Sequence, residues 1–331
     1  MRRPAVYVTR NIPKAVQILS GSCDLTVHKS SIPPSKIEII KNVEDKDGLL
    51  CSLSDNIDCE VITSAKKLKV ISSYSVGYDH IDIEAATKHA ICVTYTPEVL
   101  TETTADLAFA LLLATARRVA EADALVRKGK WGNTGWKYDF MLGSDVYGKT
   151  LGIIGLGRIG SAVARRAKGF NMIVLYHNRN KLSLEKENEL SVKYRSLDDL
   201  LKESDFVSIH LPLTKNTLHL LNEQKLKLMK PTAYLINTAR GSIVDERALI
   251  KALQKKWIAG AGLDVFEKEP LSRNNQLLKF KNAVLAPHIG SATTETREKM
   301  AEVAAVNLLN VLNGKKPLYT VNPETLNLPR E

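Results

Sequence analysis

The segment Lys149-Thr-Leu-Gly-Ile-Ile-Gly155-Leu-Gly157-Arg-Ile-Gly160 constrains the fold of this chain more than any other. Its apolar run, Leu151 to Ile154, reads as a buried strand. The glycines follow as Gly155-x-Gly157-x-x-Gly160, and a helical pattern runs from Ser161 to Lys168. Strand, glycine turn and helix in that order suit a dinucleotide pyrophosphate. Gly155 permits the tight turn, Gly157 lets the backbone approach the phosphates, and Gly160 lets the helix pack close to the strand. The anion then rests on the helix N-terminus, where N–H groups and the helix dipole favour negative charge. Leu156, Arg158 and Ile159 complete the loop. A glycine triplet alone would serve equally as a structural turn; the flanking strand and helix carry the reading.

The next strand, Met172 to Tyr176, leads into His177-Asn178-Arg179-Asn180-Lys181. An acid commonly stands here to hold the ribose 2′-hydroxyl of NAD. This chain has no Asp or Glu between Arg158 and Glu185. Asn178 takes the acid's place, and Arg179 and Lys181 supply cations suited to a 2′-phosphate. The turn therefore predicts NADPH, with NADH as the weaker cofactor; the alternative is that both cations are ordinary solvated charges.

A length of 331 residues allows one large or two ordinary domains, and 44% hydrophobic content supports a full core. The longest apolar run, Leu107 to Ala116, is too short to span a bilayer. The first ten residues lack a signal-peptide core, so a cytoplasmic location is expected. Cys23, Cys51, Cys59 and Cys92 form no C-x-x-C pair and read as buried thiols; no metal site is expected. The formal charge of +11 raises nucleic acid as a partner. The cations are scattered without a basic run, so a surface that attracts anionic substrate and cofactor is the reading taken, with neither nucleic acid nor membrane as a partner.

Strands are expected at Ala5–Thr9, Leu25–His28, Gly48–Leu53, Leu68–Ser73 and Ile91–Thr94. Helices are expected between them at Pro13–Leu19, Pro34–Lys41, Glu60–Ala65 and Ile83–His89. Such alternation implies a parallel sheet covered on both faces. One long helix, Thr103 to about Arg127, reads as a connector or an oligomer arm. After the glycine loop, strands follow at Phe206–His210, Ala233–Asn237, Ile258–Val265 and Ala283–Ala286. A last helix, Thr294 to Leu312, stops at Asn313-Gly314.

Three strand ends carry candidate chemistry: Ile236-Asn-Thr-Ala-Arg240-Gly241, Gly262-Leu-Asp264-Val-Phe-Glu267-Lys-Glu269-Pro270 and Ala286-Pro-His288-Ile-Gly290-Ser291. Ligands of open α/β sheets bind outside the carboxyl ends of strands. Reduction of a 2-oxo acid needs a hydride donor, a proton donor and a carboxylate clamp. His288 suits the proton donor, and Arg240 suits a two-pronged carboxylate clamp. A carboxylate hydrogen-bonded to His288 would favour the imidazolium. Spacing alone leaves Glu267 and Glu269 as rival partners.

Two further motifs precede the glycine loop. They are Ser75-Val-Gly-Tyr-Asp-His-Ile-Asp82 and Thr96-Pro-Glu-Val-Leu-Thr-Glu-Thr-Thr-Ala-Asp-Leu-Ala-Phe-Ala-Leu-Leu-Leu-Ala-Thr-Ala-Arg117. With these in front of the glycine loop and the three strand ends after it, the chain resembles the D-isomer-specific 2-hydroxyacid dehydrogenases over nearly its whole length. Among them it is most similar to the archaeal glyoxylate/hydroxypyruvate reductases.

The resemblance implies a catalytic set of Arg240, Glu269 and His288, with Glu269 chosen over Glu267 because the family's glutamate directly precedes the proline. It implies that Ser75, Val76 and Gly77 form the substrate loop, Val76 and Gly77 offering N–H groups to the substrate carboxylate alongside Arg240 and His288. It places Thr104, Leu211 and Pro212 near the cofactor, and Thr238, Ala239, Asp264 and Gly290 at its nicotinamide end. The implied architecture is α/β with two domains. A Rossmann-type coenzyme domain (101–290) is inserted into a flavodoxin-like substrate domain (1–100 and 291–331), with a cleft between them. Relatives usually pair as homodimers through the coenzyme domain, which makes Trp136 a candidate to reach a partner's site. His80 is expected to shape the substrate loop, and His177 lies where adenine could stack. The activity implied is NADPH-dependent reduction of glyoxylate and hydroxypyruvate to glycolate and D-glycerate. Phosphoglycerate dehydrogenase is a second enzyme reading, against which stand Asn178 and the expectation that this chain carries no appended regulatory domain. A dinucleotide-sensing corepressor is a non-enzyme reading; it should carry a docking groove or long tails that this sequence is not expected to have.

Overall fold

A computed structural model describes residues 2–133 and 135–327, so the end of the expected C-terminal segment, 328–331, lies outside the described residues. The chain divides into two compact units, Met1–Leu100 with Ala292–Glu331, and Thr101–Ser291.

The first unit alternates β1 (Ala5–Val8), α1 (Pro13–Ser20), β2 (Asp24–Val27), α2 (Lys36–Val43), β3 (Gly48–Cys51), α3 (Cys59–Ser64), β4 (Val70–Ser73), α4 (Ile83–Lys88) and β5 (Cys92–Thr94). Its sheet has the order β2-β1-β3-β4-β5, with every pair parallel. This is the doubly wound, flavodoxin-like order. The strands are shorter than their apolar runs because the ends turn into loops. Helix α2 starts at Lys36 because Ser35 caps it: the Ser35 hydroxyl accepts from Glu38 N, and the Glu38 carboxylate accepts from Ser35 N at 2.7 Å. The four cysteines are free thiols; Cys59 is exposed, contrary to the expectation of burial, because it opens the solvent side of α3.

The C-terminal helix, Thr294–Leu312, covers one face of this sheet, where Met300, Ala304 and Leu308 join Val6, Leu50 and Val70. The tail after it closes the β5 edge. Val321 N donates to Val93 O at 2.8 Å, and the buried Asn322 accepts from Val93 N at 2.8 Å while donating to Ile91 O at 2.9 Å. A side chain thus satisfies edge groups that another strand would otherwise pair.

The second unit opens with α5 (Thr101–Ala116) and α6 (Val119–Arg127), where the sequence predicts one continuous helix. The break falls at Arg118, which takes a left-handed φ of 55°. Ser144 N donates to Ala116 O at 2.9 Å, and the Arg118 guanidinium forks onto Glu121 and reaches Leu142 O at 3.2 Å. Ser144 N thus takes the carbonyl that a continuous helix would give to Ala120, and Leu142 O adds a second tertiary bond, while the Arg118–Glu121 pair is local to the start of α6. The rest follows as β6 (Thr150–Ile154), α7 (Arg158–Lys168), β7 (Ile173–His177), α8 (Leu184–Leu190), β8 (Val192–Tyr194), α9 (Leu197–Glu203), β9 (Phe206–Ile209), α10 (Glu223–Leu226), β10 (Tyr234–Asn237), α11 (Glu246–Gln254), β11 (Gly260–Leu263) and β12 (Ala283–Leu285). The parallel sheet has the order β12-β11-β10-β9-β6-β7-β8. Its direction of winding switches between β6 and β9, the crevice where ligands bind in such sheets. Separate apolar clusters cover its two faces, one built with α5 and α7 and the other with α9, α10 and α11.

Replacing Asn322 by Ala leaves Val93 N and Ile91 O without their buried partner. The expected cost is roughly 2–4 kcal/mol, read as a lower midpoint in thermal or urea unfolding.

Candidate active site

β6 delivers the chain to Gly155, whose φ of 98° is open to glycine. A Cβ there would lie 2.6 Å from His210 O and 2.8 Å from Leu211 Cδ2, so the loops after β6 and β9 touch at the switch point. A Cβ on Gly160 would lie 2.3 Å from Gly155 O, so α7 packs directly against the turn. Helix α7 begins at Arg158, three residues before the expected Ser161, because Gly160 belongs to the helix despite its poor helix propensity. No side chain caps α7 at Gly157, and a Cβ at Gly157 would meet nothing within 4 Å. The N-terminal N–H groups and the open backbone face suit a pyrophosphate.

Asn178 is turned inward: its Oδ1 accepts from Leu156 N at 2.7 Å, which fixes the glycine loop. Arg179 and Asn180 are exposed. Lys181 lies 3.8 Å from Glu187 and 5.9 Å from the centre of the Tyr194 ring. His177 Nδ1 meets Arg195 O at 3.0 Å. Pro212 O accepts from Thr217 Oγ1 at 2.8 Å, which shapes the turn after β9. The sequence motifs assign no role to His210, whose Nε2 meets Ser208 Oγ at 2.8 Å; burial pushes its imidazole down to about 3 and keeps it neutral.

At the other end of the crevice, Asn237 terminates β10 and folds the next turn. It accepts from Ala239 N at 3.0 Å and donates to Arg240 O at 2.9 Å. Arg240 Nη1 donates to Ala239 O at 2.8 Å. Thr238 is buried with its hydroxyl facing no partner among the described residues. An orphaned buried hydroxyl at this strand end, together with the open backbone at Gly157, fits a polar ligand such as a nicotinamide dinucleotide.

After β11, the buried Asp264 accepts from Ile289 N at 2.7 Å and from Gly290 N at 2.8 Å, while its carbonyl accepts from His288 N at 2.9 Å. Burial raises the Asp264 carboxyl above the usual range, against the pull of these N–H groups and of His288. Thr104 Oγ1 adds a bond to Gly290 O at 3.1 Å. The His288 loop, with a left-handed φ of 55° at His288, is therefore held on three sides. His288 Nδ1 meets Glu269 Oε2 at 2.6 Å, and Glu269 Oε1 accepts from Phe266 N at 3.0 Å. Burial works to raise the Glu269 carboxyl, but its bond to His288, the Phe266 N–H and the charge of Arg240 outweigh this and lower it. Arg240, Glu269 and His288 thus lie together in one unit, with Nδ1 of His288 taken up by Glu269.

Ser75, Val76 and Gly77 follow β4 in the first unit. Ser75 Oγ donates to Gly77 O at 2.5 Å and lies 2.7 Å from Ser73 Oγ, which in turn lies 3.2 Å from His80 Nε2. His80 is therefore tied to the base of this loop. Among the described residues, no group of acids, His and Cys is placed to hold a metal, and no helix is long and apolar enough to cross a membrane.

Residues 109–290 match the model of the D-isomer specific 2-hydroxyacid dehydrogenase NAD binding domain. The chain is 53% identical to a glyoxylate reductase of Thermofilum pendens over 98% of its own length and 96% of the relative's. It is 52% identical to one of Pyrococcus horikoshii over 98% of both. Among solved structures, it resembles an NADPH-dependent glyoxylate/hydroxypyruvate reductase of Sinorhizobium meliloti in complex with NADP and malonate, with 33% identity, a TM-score of 0.87 and coverage of 100% of this chain and 99% of that one. The chain belongs to the D-isomer specific 2-hydroxyacid dehydrogenases. It is an oxidoreductase with a nicotinamide dinucleotide cofactor and a small 2-oxo acid substrate.

A depressed carboxylate stabilises the fold above its ordinary value and loses that contribution as pH falls through its folded value. Glu269→Gln should therefore lower the thermal midpoint at neutral pH, with the gap to the parent protein closing below the ordinary glutamate value of 4.5. Thermal scans across pH check this; a gap that widens in acid contradicts the pairing.

Proposed function

We propose that the protein reduces glyoxylate, and hydroxypyruvate as a larger substrate, to glycolate and D-glycerate with NADPH. The observation that carries this reading is the His288–Glu269 bond beside Arg240, at 2.6 Å, in a chain about half identical to glyoxylate reductases. Arg240 clamps the substrate carboxylate, aided by the Val76 and Gly77 N–H groups of the Ser75 loop. His288 Nε2 gives its proton to the keto oxygen as charge develops there, and Glu269 orients the ring through Nδ1. When bound, the nicotinamide supplies the hydride. Gly155 to Gly160 hold the pyrophosphate, with Thr104, Leu211, Pro212, Thr238, Ala239, Asp264 and Gly290 around the rest of the cofactor.

The preference for NADPH rests on Arg179. Asn178 is engaged with the glycine loop and Lys181 leans on Glu187 and Tyr194, so Arg179 is the exposed cation best placed to meet a 2′-phosphate. A homodimer is part of the same reading. No residue of α6 is buried, Trp136 is 86% exposed, and a cavity of about 200 Å³ lies between α6, Trp131, Phe140 and Met141. A second copy would cover these apolar groups, and light scattering in solution checks it.

Absorbance at the nicotinamide band with glyoxylate should show faster oxidation of NADPH than of NADH. His288→Ala should lower kcat by about 10²–10⁴-fold with cofactor affinity kept; unchanged turnover removes His288 as the proton donor. Arg179→Ala should raise the KM for NADPH by about tenfold or more and leave NADH nearly unaffected.

A further inference from the structure

Glu267, the rival that does not reach His288, has a histidine of its own. His219 Nε2 lies 2.8 Å from Glu267 Oε1, and that same oxygen accepts from Glu246 N at 3.0 Å. Glu246 answers through Oε2, which accepts from Glu267 N at 3.4 Å, and its Oε1 is held by Asn275 Nδ2 at 2.7 Å. His219 N donates to Ser242 O at 2.8 Å. These bonds close a ring through the turn after β10, the loop after β11 and the start of α11.

Both reactive loops run through this ring. A Cβ on Gly241 would lie 1.9 Å from Phe266 C and 2.4 Å from Glu267 N, so the backbone next to Arg240 rests on the Phe266–Glu267 peptide. The N–H at the near end of that stretch, Phe266 N, is the one that holds Glu269 Oε1. We propose that His219, Glu267 and Glu246 are positioning residues that fix this peptide, and through it place Glu269 against His288 and Arg240 beside both. The proposal rests on the reading that Arg240, Glu269 and His288 do the chemistry. A half-exposed histidine–glutamate pair adds little to stability, so its effect should fall on geometry.

The test uses the full-length protein with Glu267→Ala, Glu267→Gln and His219→Ala. In Glu267→Ala, kcat with glyoxylate should fall by about ten- to a hundredfold, with NADPH affinity kept. The His288 Nδ1 proton resonance, expected downfield in the parent protein because of the short bond to Glu269, should broaden or move upfield. Glu267→Gln keeps an oxygen acceptor for both donors, so it should recover most of kcat and the resonance; His219→Ala should fall between the two. Parent-like kcat and resonance in Glu267→Ala overturn the proposal, as does a well-folded Glu267→Gln as impaired as the alanine variant. If the parent protein fails to reduce any 2-oxo acid, the functional reading falls, while the His288 resonance still decides whether Glu267 positions Glu269.

Discussion

Both sheets are wholly parallel, and this constraint sets where everything else can lie. Parallel neighbours require a crossover after each strand, so helices cover both faces and all strand carboxyl ends gather at one edge. In the second unit that edge carries Gly155 after β6, Asn178 after β7, Leu211 after β9, Arg240 after β10, Glu269 after β11 and His288 after β12. Residues far apart in sequence become neighbours because six loops leave the sheet on the same side. The close approach of Gly155 to His210 O is one expression of this: the glycine that shapes the turn before α7 also lets adjoining loops approach.

Burial on both faces also explains what was legible in the sequence. Strands such as β6 and β10 are buried at nearly every position and stand out as unbroken apolar runs. β8 did not stand out: it is three residues long, lies at the sheet edge and exposes Lys193. The break between α5 and α6 was equally hidden. Neither Arg117 nor Arg118 is a helix breaker, and the cause lies in Ser144 and Leu142, a distant segment that bonds to the residues around the break. Local pattern records burial well and tertiary hydrogen bonding poorly.

The same distinction holds at the site. The three strand-end motifs were recognisable because Arg, Glu and His in those places suit one reaction. Their pairing was not, since Glu267 and Glu269 differ by one intervening residue and each has a histidine to meet. The resemblance favoured Glu269; in the structure Glu269 meets His288 and Glu267 meets His219. The role of Asn178 was hidden for a similar reason: its place suggested ribose, while its amide faces Leu156 N.

Asp264, Glu267 and Glu269 show how one short segment divides labour among three carboxylates. Asp264 is wholly buried and both its oxygens are occupied by backbone N–H groups, so it anchors the His288 loop rather than meeting a substrate or relaying a proton. Glu269 leaves one oxygen for the Phe266 N–H and gives the other to His288, which makes it responsive to the charge on the imidazole. Glu267 uses one oxygen for both His219 and the first N–H of α11, where the helix dipole favours a negative group. Burial alone would not separate these roles, because it opposes charge at Asp264 and Glu269 alike; the net shift is upward at Asp264 and downward at Glu269. What separates them is the partner each oxygen meets, and those partners are set by the loops that the parallel sheet brings to one edge.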